Sequence, residues 1–349
     1  MNSSLLSRTP DTKAMALAER LLGQPVLAAW PVPRGGNNRI YLIDAGTTCY
    51  ALKHYPRQAS DTRDRLGTEH GAIALLHRAG FTDVPAPIAR SDADGAALYE
   101  WIDGAPADEV GEPEIDAALD LLRRLVELSD NGAGEAFGPA SAACFSAAEV
   151  LSQIQQRFDR LGREVTAPLP ALRAFLDDDF APVHHILADD AEHRLHRAGV
   201  PLDGKLAPAQ RLLSPSDFGF HNVLRRPDGG YAFVDLEYFG WDDPAKLVSD
   251  FLEHPGHDLD SAMASRFAAG ASALFAARDP HFTERLAALR RLFGLIWCLI
   301  LLNEFLPASQ ARRGLDDDDA AAAQSAQLDK ARDRLMRLWR HYESCQAAP

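Results

Sequence analysis

The sequence predicts an α+β protein in two lobes, a small β-sheet lobe followed by a mainly helical one. Three observations support this. The chain has 349 residues, enough for two separate cores. Its 46% hydrophobic and 25% charged residues are those of a globular protein. The hydrophobic period changes after about residue 101, from the alternation of strands to the three-to-four spacing of helices. The expected boundary therefore separates a sheet lobe, residues 1–101, from a helical lobe, residues 102–349.

In the first lobe, "NRIYLIDAGTTCYALKHY" is two β-branched and aromatic runs around "DAGTT", whose Asp and Gly suit a hairpin turn. "GTEHGAIALLHRAG" follows with Ile73, Leu76 and His77 at helical spacing and Gly80 placed to end the helix. "VPAPIARSDADGAALYEWIDG" reads as strand, turn and strand, so the lobe is a small sheet carrying one helix. Beyond Gly104, "PEIDAALDLLRRLVELS", "SAAEVLSQIQQRFDRLG" and "PALRAFLDDDFAPVHHILADDAEHRLHRAG" are amphipathic helices. A β-like island from Asn222 to Phe239 interrupts them, and its "PDGG" is a strong hairpin turn. Helices resume at Leu259. The run "LDDDD" sits where a helix N-terminus welcomes negative charge, so it reads as capping and not as a metal site.

The net charge is −14, and the excess is uneven: residues 1–100 carry 11 Lys/Arg against 10 Asp/Glu, the remaining 249 carry 25 against 40. Such a surface repels a polyanion, so nucleic acid is not an expected partner. The same acid equally serves plain solubility. Four widely spaced cysteines without a C-x-x-C pair argue against a zinc knuckle or disulfide scaffold. No export signal opens the sequence, and "LFGLIWCLILL" is too short to cross a bilayer and fits a buried helix. A cytoplasmic protein with no membrane partner is expected, of unknown oligomeric state.

The chemistry concentrates in "SPSDFGFHNVL" and "YAFVDLEYFGW". Phosphoryl transfer needs a group to take the acceptor's proton and hard oxygen ligands for metal. Asp217 on a loop can be the base, and Asn222, five residues on, can hold Mg²⁺ with Asp235. Asp/Asn pairs also make turn hydrogen bonds, so this segment alone leaves both readings open. The first lobe adds Gly35, Gly36, Asn37 and Asn38 at the front of a hairpin, where backbone amides can cover phosphates. Lys53 on the next strand offers a point charge, and Glu69 on the next helix can orient it. Singly, each is more often a tight turn, a solvated lysine or a helix-end charge. All of them in this order are much less often coincidental.

The glycine-bearing hairpin, "YALK", the helix Glu, "LYEWIDG", D-x-x-x-x-N and "VD" together resemble the aminoglycoside phosphotransferase/choline kinase family, from about Pro31 to Asp250. The resemblance implies a protein-kinase-like bilobal fold and transfer of the γ-phosphate of ATP to a small-molecule hydroxyl. By it, Lys53 meets the α/β-phosphates, Glu69 pairs with Lys53, and the backbone of Glu100, Trp101 and Ile102 holds adenine. Asp217 is then the base, and Asn222 and Asp235 bind Mg²⁺. The family pattern has His two residues before the base, where this sequence has Pro215. Asp235-Leu236-Glu237 replaces the protein kinases' Asp-Phe-Gly, so no activation loop is expected.

Glu237 is a candidate further metal or substrate contact, and Asp242, Asn303 and Glu304 are candidate substrate contacts, in a pocket expected between the helices of residues 146–200 and the region 237–306. Trp297 is a candidate core residue and Asp250 a structural one. The acidic helical lobe favours an amino sugar, amino alcohol or aminoglycoside acceptor, with a neutral sugar or nucleoside nearly as suitable. A catalytically impaired nucleotide-binding pseudokinase or scaffold is the alternative. His254 and His257 in "EHPGH" read as solvated turn residues, and His184-His185 as surface.

Overall fold

The computed structural model describes residues 9–33, 38–56, 61–165, 169–309 and 317–347. They form two compact units, residues 1–141 with 213–241, and residues 142–212 with 242–349. The expected cut after residue 101 falls inside the first unit. Residues 102–141 and 213–241, assigned by the sequence to the helical lobe, belong to the unit that carries the sheet.

The first unit is built on a five-stranded antiparallel sheet of β1 (Ala28–Val32), β2 (Arg39–Asp44), β3 (Cys49–His54), β4 (Pro87–Ser91) and β5 (Ala96–Glu100), in the order β1-β2-β3-β5-β4. The β2–β3 turn closes where expected: Asp44 Oδ1 accepts from Gly46 N at 2.8 Å, and Gly46 has φ +89°. The expected helix is α2 (Arg65–Arg78). Gly80 N–H bonds to His77 O and Phe81 N–H to Leu76 O, both at 3.0 Å, a Schellman ending that needs the left-handed φ of Gly80, +85°.

The one-helix expectation misses α1 (Thr12–Leu22), whose N-cap Asp11 accepts from Lys13 N and Ala14 N. Ala14 and Ala18 of α1 pack with Ile43, Leu52 and Leu98, covering one face of the sheet. Because side chains alternate along a strand, Lys53 points to the opposite face from Leu52.

Four further strands complete the unit and lead from it: β6 (Ala105–Pro106), β7 (Leu212–Ser214), β8 (Val223–Arg225) and β9 (Tyr231–Phe233). β8 and β9 are the expected hairpin, with Arg226 N bonded to Gly230 O across the turn at 2.7 Å. β6 pairs with β8, Ala105 opposite Arg225, and this joins residues 102–141 to the hairpin. In α3 (Glu112–Asp130), buried Glu114 accepts from Arg225 Nη2 and Tyr231 Oη, each at 2.6 Å, and ties the helix to the same hairpin. The short strand β10 (Gly240–Asp242) packs on residues 138–140, with Trp241 N bonded to Gly138 O and Ala140 N to Trp241 O.

The second unit is helical: α4 (Ala147–Glu164), α5 (Pro170–Ala174), α6 (Ala181–Arg197), α7 (Pro244–Glu253), α8 (Ser261–Phe275), α9 (Phe282–Leu301) and α10 (Asp317–Ala347). A π-helical segment, Phe175–Phe180, joins α5 to α6 just before Pro182, which has no N–H for the helical ladder. The segment Phe282–Phe305 is apolar and long enough to cross a membrane by length and composition, yet most of it is buried in this unit. Leu292, Phe293, Leu295 and Cys298 form the centre of its core, as the greasy run predicts.

Two buried ion clusters brace the unit. Lys246 lies 3.0 Å from Asp242 Oδ2 and 2.9 Å from Asp250 Oδ2, while Arg285 pairs with Asp243 and Asp279. Asp250 also accepts from Trp297 Nε1 at 3.0 Å. The solvated reading of "EHPGH" is corrected: His254 is buried, accepts from Gly256 N, and packs edge-on against Trp297, and the His257 ring nitrogen lies 2.8 Å from Phe251 O.

Gly240 shows how tightly β10 seats. A Cβ there would stand 2.6 Å from Ala140 N and 2.7 Å from Gly138 O, both main-chain atoms that cannot swing away. Gly240→Ala is expected to lower stability by about 1–3 kcal/mol, measured as a fall in urea midpoint at unchanged m-value.

Candidate active site

Lys53 is the centre of the site in the first unit. Its side chain is 7% exposed, and Nζ lies 2.6 Å from Glu69 Oε2, 2.5 Å from Asp235 Oδ1 and 3.9 Å from Glu237 Oε2. Burial works against its charge, but the three carboxylates outweigh it and hold the ammonium above its ordinary pKa. Glu69 is pushed up by its own burial, with Lys53 pulling the other way. Tyr55 Oη donates to Glu69 Oε2 at 2.7 Å and lies 2.9 Å from Tyr99 Oη. Both phenols are kept neutral, first by burial and then by the nearby Glu69 charge.

Asp235 reaches Lys53 through an unusual backbone. It has φ +67°, the left-handed region that L-residues avoid and aspartate tolerates better than most. β9 ends two residues earlier, and Val234 N donates to Asn222 O at 3.0 Å. With Val223 paired to Phe233, this sets Asn222 opposite Val234, the residue before Asp235, at one end of the β8–β9 hairpin.

The loop before β8 carries Asp217. Asn222 Nδ2 donates to the main-chain oxygen of Asp217 at 3.1 Å, which commits the amide nitrogen and leaves the carbonyl oxygen for another task. Where the family's histidine is replaced by Pro215, serines hold the loop. Ser216, at φ +67°, donates its N–H to Ser214 Oγ and its hydroxyl to Ser141 O, and Asp217 N donates to Pro215 O. His221 Nε2 lies 3.3 Å from Asp217 Oδ1. Asp217, Asn222, Asp235, Lys53 and Glu69 are thus joined in one connected set.

Several expectations need correcting. Glu237 is not placed as a substrate contact: it is 3% exposed, accepts from Asn38 Nδ2, and lies 3.7 Å from Arg65 Nη1, beside Lys53. Asp242 is fully buried in the second unit, where Lys246 and the amides of Cys144 and Asp243 occupy it. Asn303 is half-buried and Glu304 buried on the turn Leu302–Phe305 of that unit. Glu100 N–H donates to Ala86 O at 2.9 Å. Gly35, Gly36 and Asn37 lie outside the described residues.

Sequence reasoning missed four residues here. Tyr55 stands two residues after Lys53 on the same strand face, and Arg65 one helical turn before Glu69. Both spacings were readable. His221 stood inside the quoted loop, and Ser141 had no local signal.

A cavity of about 260 Å³ is lined by Glu100, Trp101, Ile102, Asp103 and the Arg226–Asp228 turn. A larger cleft of about 490 Å³ in the second unit, bordered by Asp189, His193 and Tyr342, contains none of the candidate site residues.

The sequence matches the phosphotransferase enzyme family over residues 29–284, well over half its length. The chain belongs to this family. Membership makes it an enzyme of the small-molecule kinase type. No curated protein matches its sequence. Among solved structures, it is similar to spectinomycin phosphotransferase in complex with ADP and spectinomycin, at 11% identity and TM-score 0.62, over 95% of this chain and 99% of that one. It is also similar to choline kinase LicA from Streptococcus pneumoniae, at 15% identity and TM-score 0.57, over 89% and 94% of the two chains. The Plasmodium vivax ethanolamine kinase aligns over 87% and 81%, at 12% identity and TM-score 0.52. At these identities the likeness is one of fold, the protein-kinase-like fold expected.

The buried network has a measurable order of importance. Glu69→Gln, which leaves a buried ammonium short of one charge, is expected to cost about 3 kcal/mol. Tyr55→Phe removes one supporting hydrogen bond and is expected to cost about 1 kcal/mol. Chemical denaturation of both variants checks this; equal costs would show that Glu69 does not carry the pair.

Proposed function

We propose that the chain transfers the γ-phosphoryl group of ATP to a hydroxyl of a small molecule, with Mg²⁺. The observation that carries this reading is Lys53 joined at once to Glu69 and Asp235, with Asp217 and Asn222 linked to the same hairpin end.

The residues present fit a divalent cation. Ligand oxygens of Glu69, Asp235 and Glu237 lie within 4.8 Å of one another, giving more carboxylate charge than Lys53 balances. Magnesium prefers such hard oxygen donors. Asp235 and the carbonyl oxygen of Asn222 would hold it, and when bound it neutralises charge on the phosphates.

The chain's own residues do the rest. Lys53 meets the α/β-phosphates, held in place by Glu69 and Tyr55. By sequence position, amides of Gly35, Gly36, Asn37 and Asn38 would cover them, and the backbone of Glu100, Trp101 and Ile102 would receive adenine. Asp217 takes the acceptor's proton. The oxygen's electron pair forms the new bond to phosphorus, and the bond from phosphorus to the β-phosphate oxygen breaks with its electrons leaving on ADP.

The acidic surplus is a poor guide to the acceptor. It falls heavily on residues 101–141, with two Lys/Arg against ten Asp/Glu, all in the first unit. Amino sugars, aminoglycosides and amino alcohols belong on the test panel beside neutral sugars. Four unpaired cysteine thiols suit a reducing, ATP-containing compartment such as the cytoplasm.

Two measurements test the reading. Phosphate transfer from ATP is followed with spectinomycin, gentamicin, streptomycin, choline, ethanolamine and a set of sugars, with and without Mg²⁺. Asp217→Asn is expected to lower turnover about 10²- to 10⁴-fold without loss of ATP-induced thermal stabilisation. Wild-type turnover in that variant would remove Asp217 as the base, and stabilisation by ATP with no transfer to any acceptor would favour the impaired alternative. Asp235→Asn is expected to abolish the Mg²⁺ requirement's saturable response along with most activity. A Mg²⁺ titration that kept its wild-type midpoint would take Asp235 out of the metal site.

A further inference from the structure

We propose that His221 is a positioning residue for the base: it holds one oxygen of the Asp217 carboxylate so that the other is presented to the acceptor hydroxyl. The inference rests on Asp217 being the base.

The main chain at Asp217 is pinned on both sides. Its N–H donates to Pro215 O at 2.9 Å, its carbonyl oxygen accepts from Asn222 Nδ2 at 3.1 Å, and Ser216 before it is anchored to Ser141. The carboxylate itself is contacted by His221 Nε2, 3.3 Å from Oδ1. His221 is itself well placed to hold still. It lies in the 3-10 turn Phe220–Asn222, where Asn222 N donates to Gly219 O at 3.0 Å, and its neighbours Phe220 and Val223 are 3% and 2% exposed.

Exposure separates this pair from the rest of the loop. Phe218 and Phe220 point inward, whereas the Asp217 and His221 side chains are 29% and 24% exposed and meet on the open side. The loop also lacks a histidine at the position two residues before the base, where Pro215 stands. An imidazole four residues after the base, one helical turn away, reaches the same carboxylate from the other direction. Proton abstraction tolerates little misalignment of the base, and a misplacement of about 1 Å can cost roughly 10²-fold in rate.

The test uses the full-length protein and steady-state kinetics with the best acceptor of the panel above, or ADP release with water as acceptor if none is turned over. His221→Ala is expected to lower kcat about 100-fold while the KM for ATP and the thermal shift produced by ATP stay at wild-type values. His221→Gln, which keeps a nitrogen donor near the carboxylate, is expected to recover much of the loss. In an Asp217→Asn background, His221→Ala is expected to do nothing further, because the group it orients is gone. Wild-type kcat in His221→Ala overturns the proposal. So does a joint loss of kcat and ATP affinity without recovery in His221→Gln, or an equal effect of His221→Ala with and without Asp217. If Asp217→Asn itself turns over normally, the base assignment fails first; if it is inactive while His221→Ala is normal, only the present inference fails.

Discussion

The buried ammonium of Lys53 is the constraint on which the first unit depends. An isolated ammonium of this kind costs several kcal/mol to remove from water, and attraction to well-placed carboxylates has to offset that. Glu69 and Asp235 do so from two directions, at 2.6 and 2.5 Å. The tolerance is small, so α2, β3 and the turn after β9 must all be positioned to within a fraction of an ångström. The left-handed backbone of Asp235 is the local concession that makes this fit possible. Tyr55 and Tyr99 serve the same end, since neutral phenols stabilise Glu69 without adding charge.

A second layer steadies the carboxylate most distant from Lys53. Glu237 is held by Asn38 and flanked by Arg65, which also donates to Asn38 Oδ1 at 3.3 Å and to Pro56 O at 3.2 Å. Asn38 lies at the start of β2, Arg65 opens α2, and Glu237 follows the Asp235 turn. Three segments far apart in sequence are therefore locked by polar side chains that are each less than a tenth exposed. Such a network is unforgiving, because leaving any one member unpaired exposes the others to the full cost of burial.

The loop that carries Asp217 shows how a segment can be held by different chemistry. With Pro215 two residues before Asp217, the hold on the loop has to come from elsewhere. Short side chains supply it: Ser214 and Ser216 bind main-chain groups nearby, and Ser141 receives the loop from a neighbouring segment. Asn222 closes the arrangement from the far side. Serines can do this because their hydroxyls both donate and accept at main-chain distances.

Much of the architecture was legible because it is written in local patterns. The β2–β3 and β8–β9 hairpins, the end of α2 at Gly80 and the buried helix α9 follow from turn residues and hydrophobic period, which act over a few residues. The helix α1 is equally legible through Asp11, the N-cap residue ahead of Thr12. Asp217, Asn222, Lys53, Glu69 and Asp235 stand out in the sequence by residue type and order. The sequence by itself determined these elements and the identity of the charged groups. Only the tertiary structure decided that residues 213–241 belong with the sheet, that Glu237 sits beside Lys53 while Asp242 is sealed by Lys246, and that His254 is buried. These outcomes depend on which distant segments share a desolvated space, and the energy of a charge is set by the neighbours it meets there, not by its place along the chain.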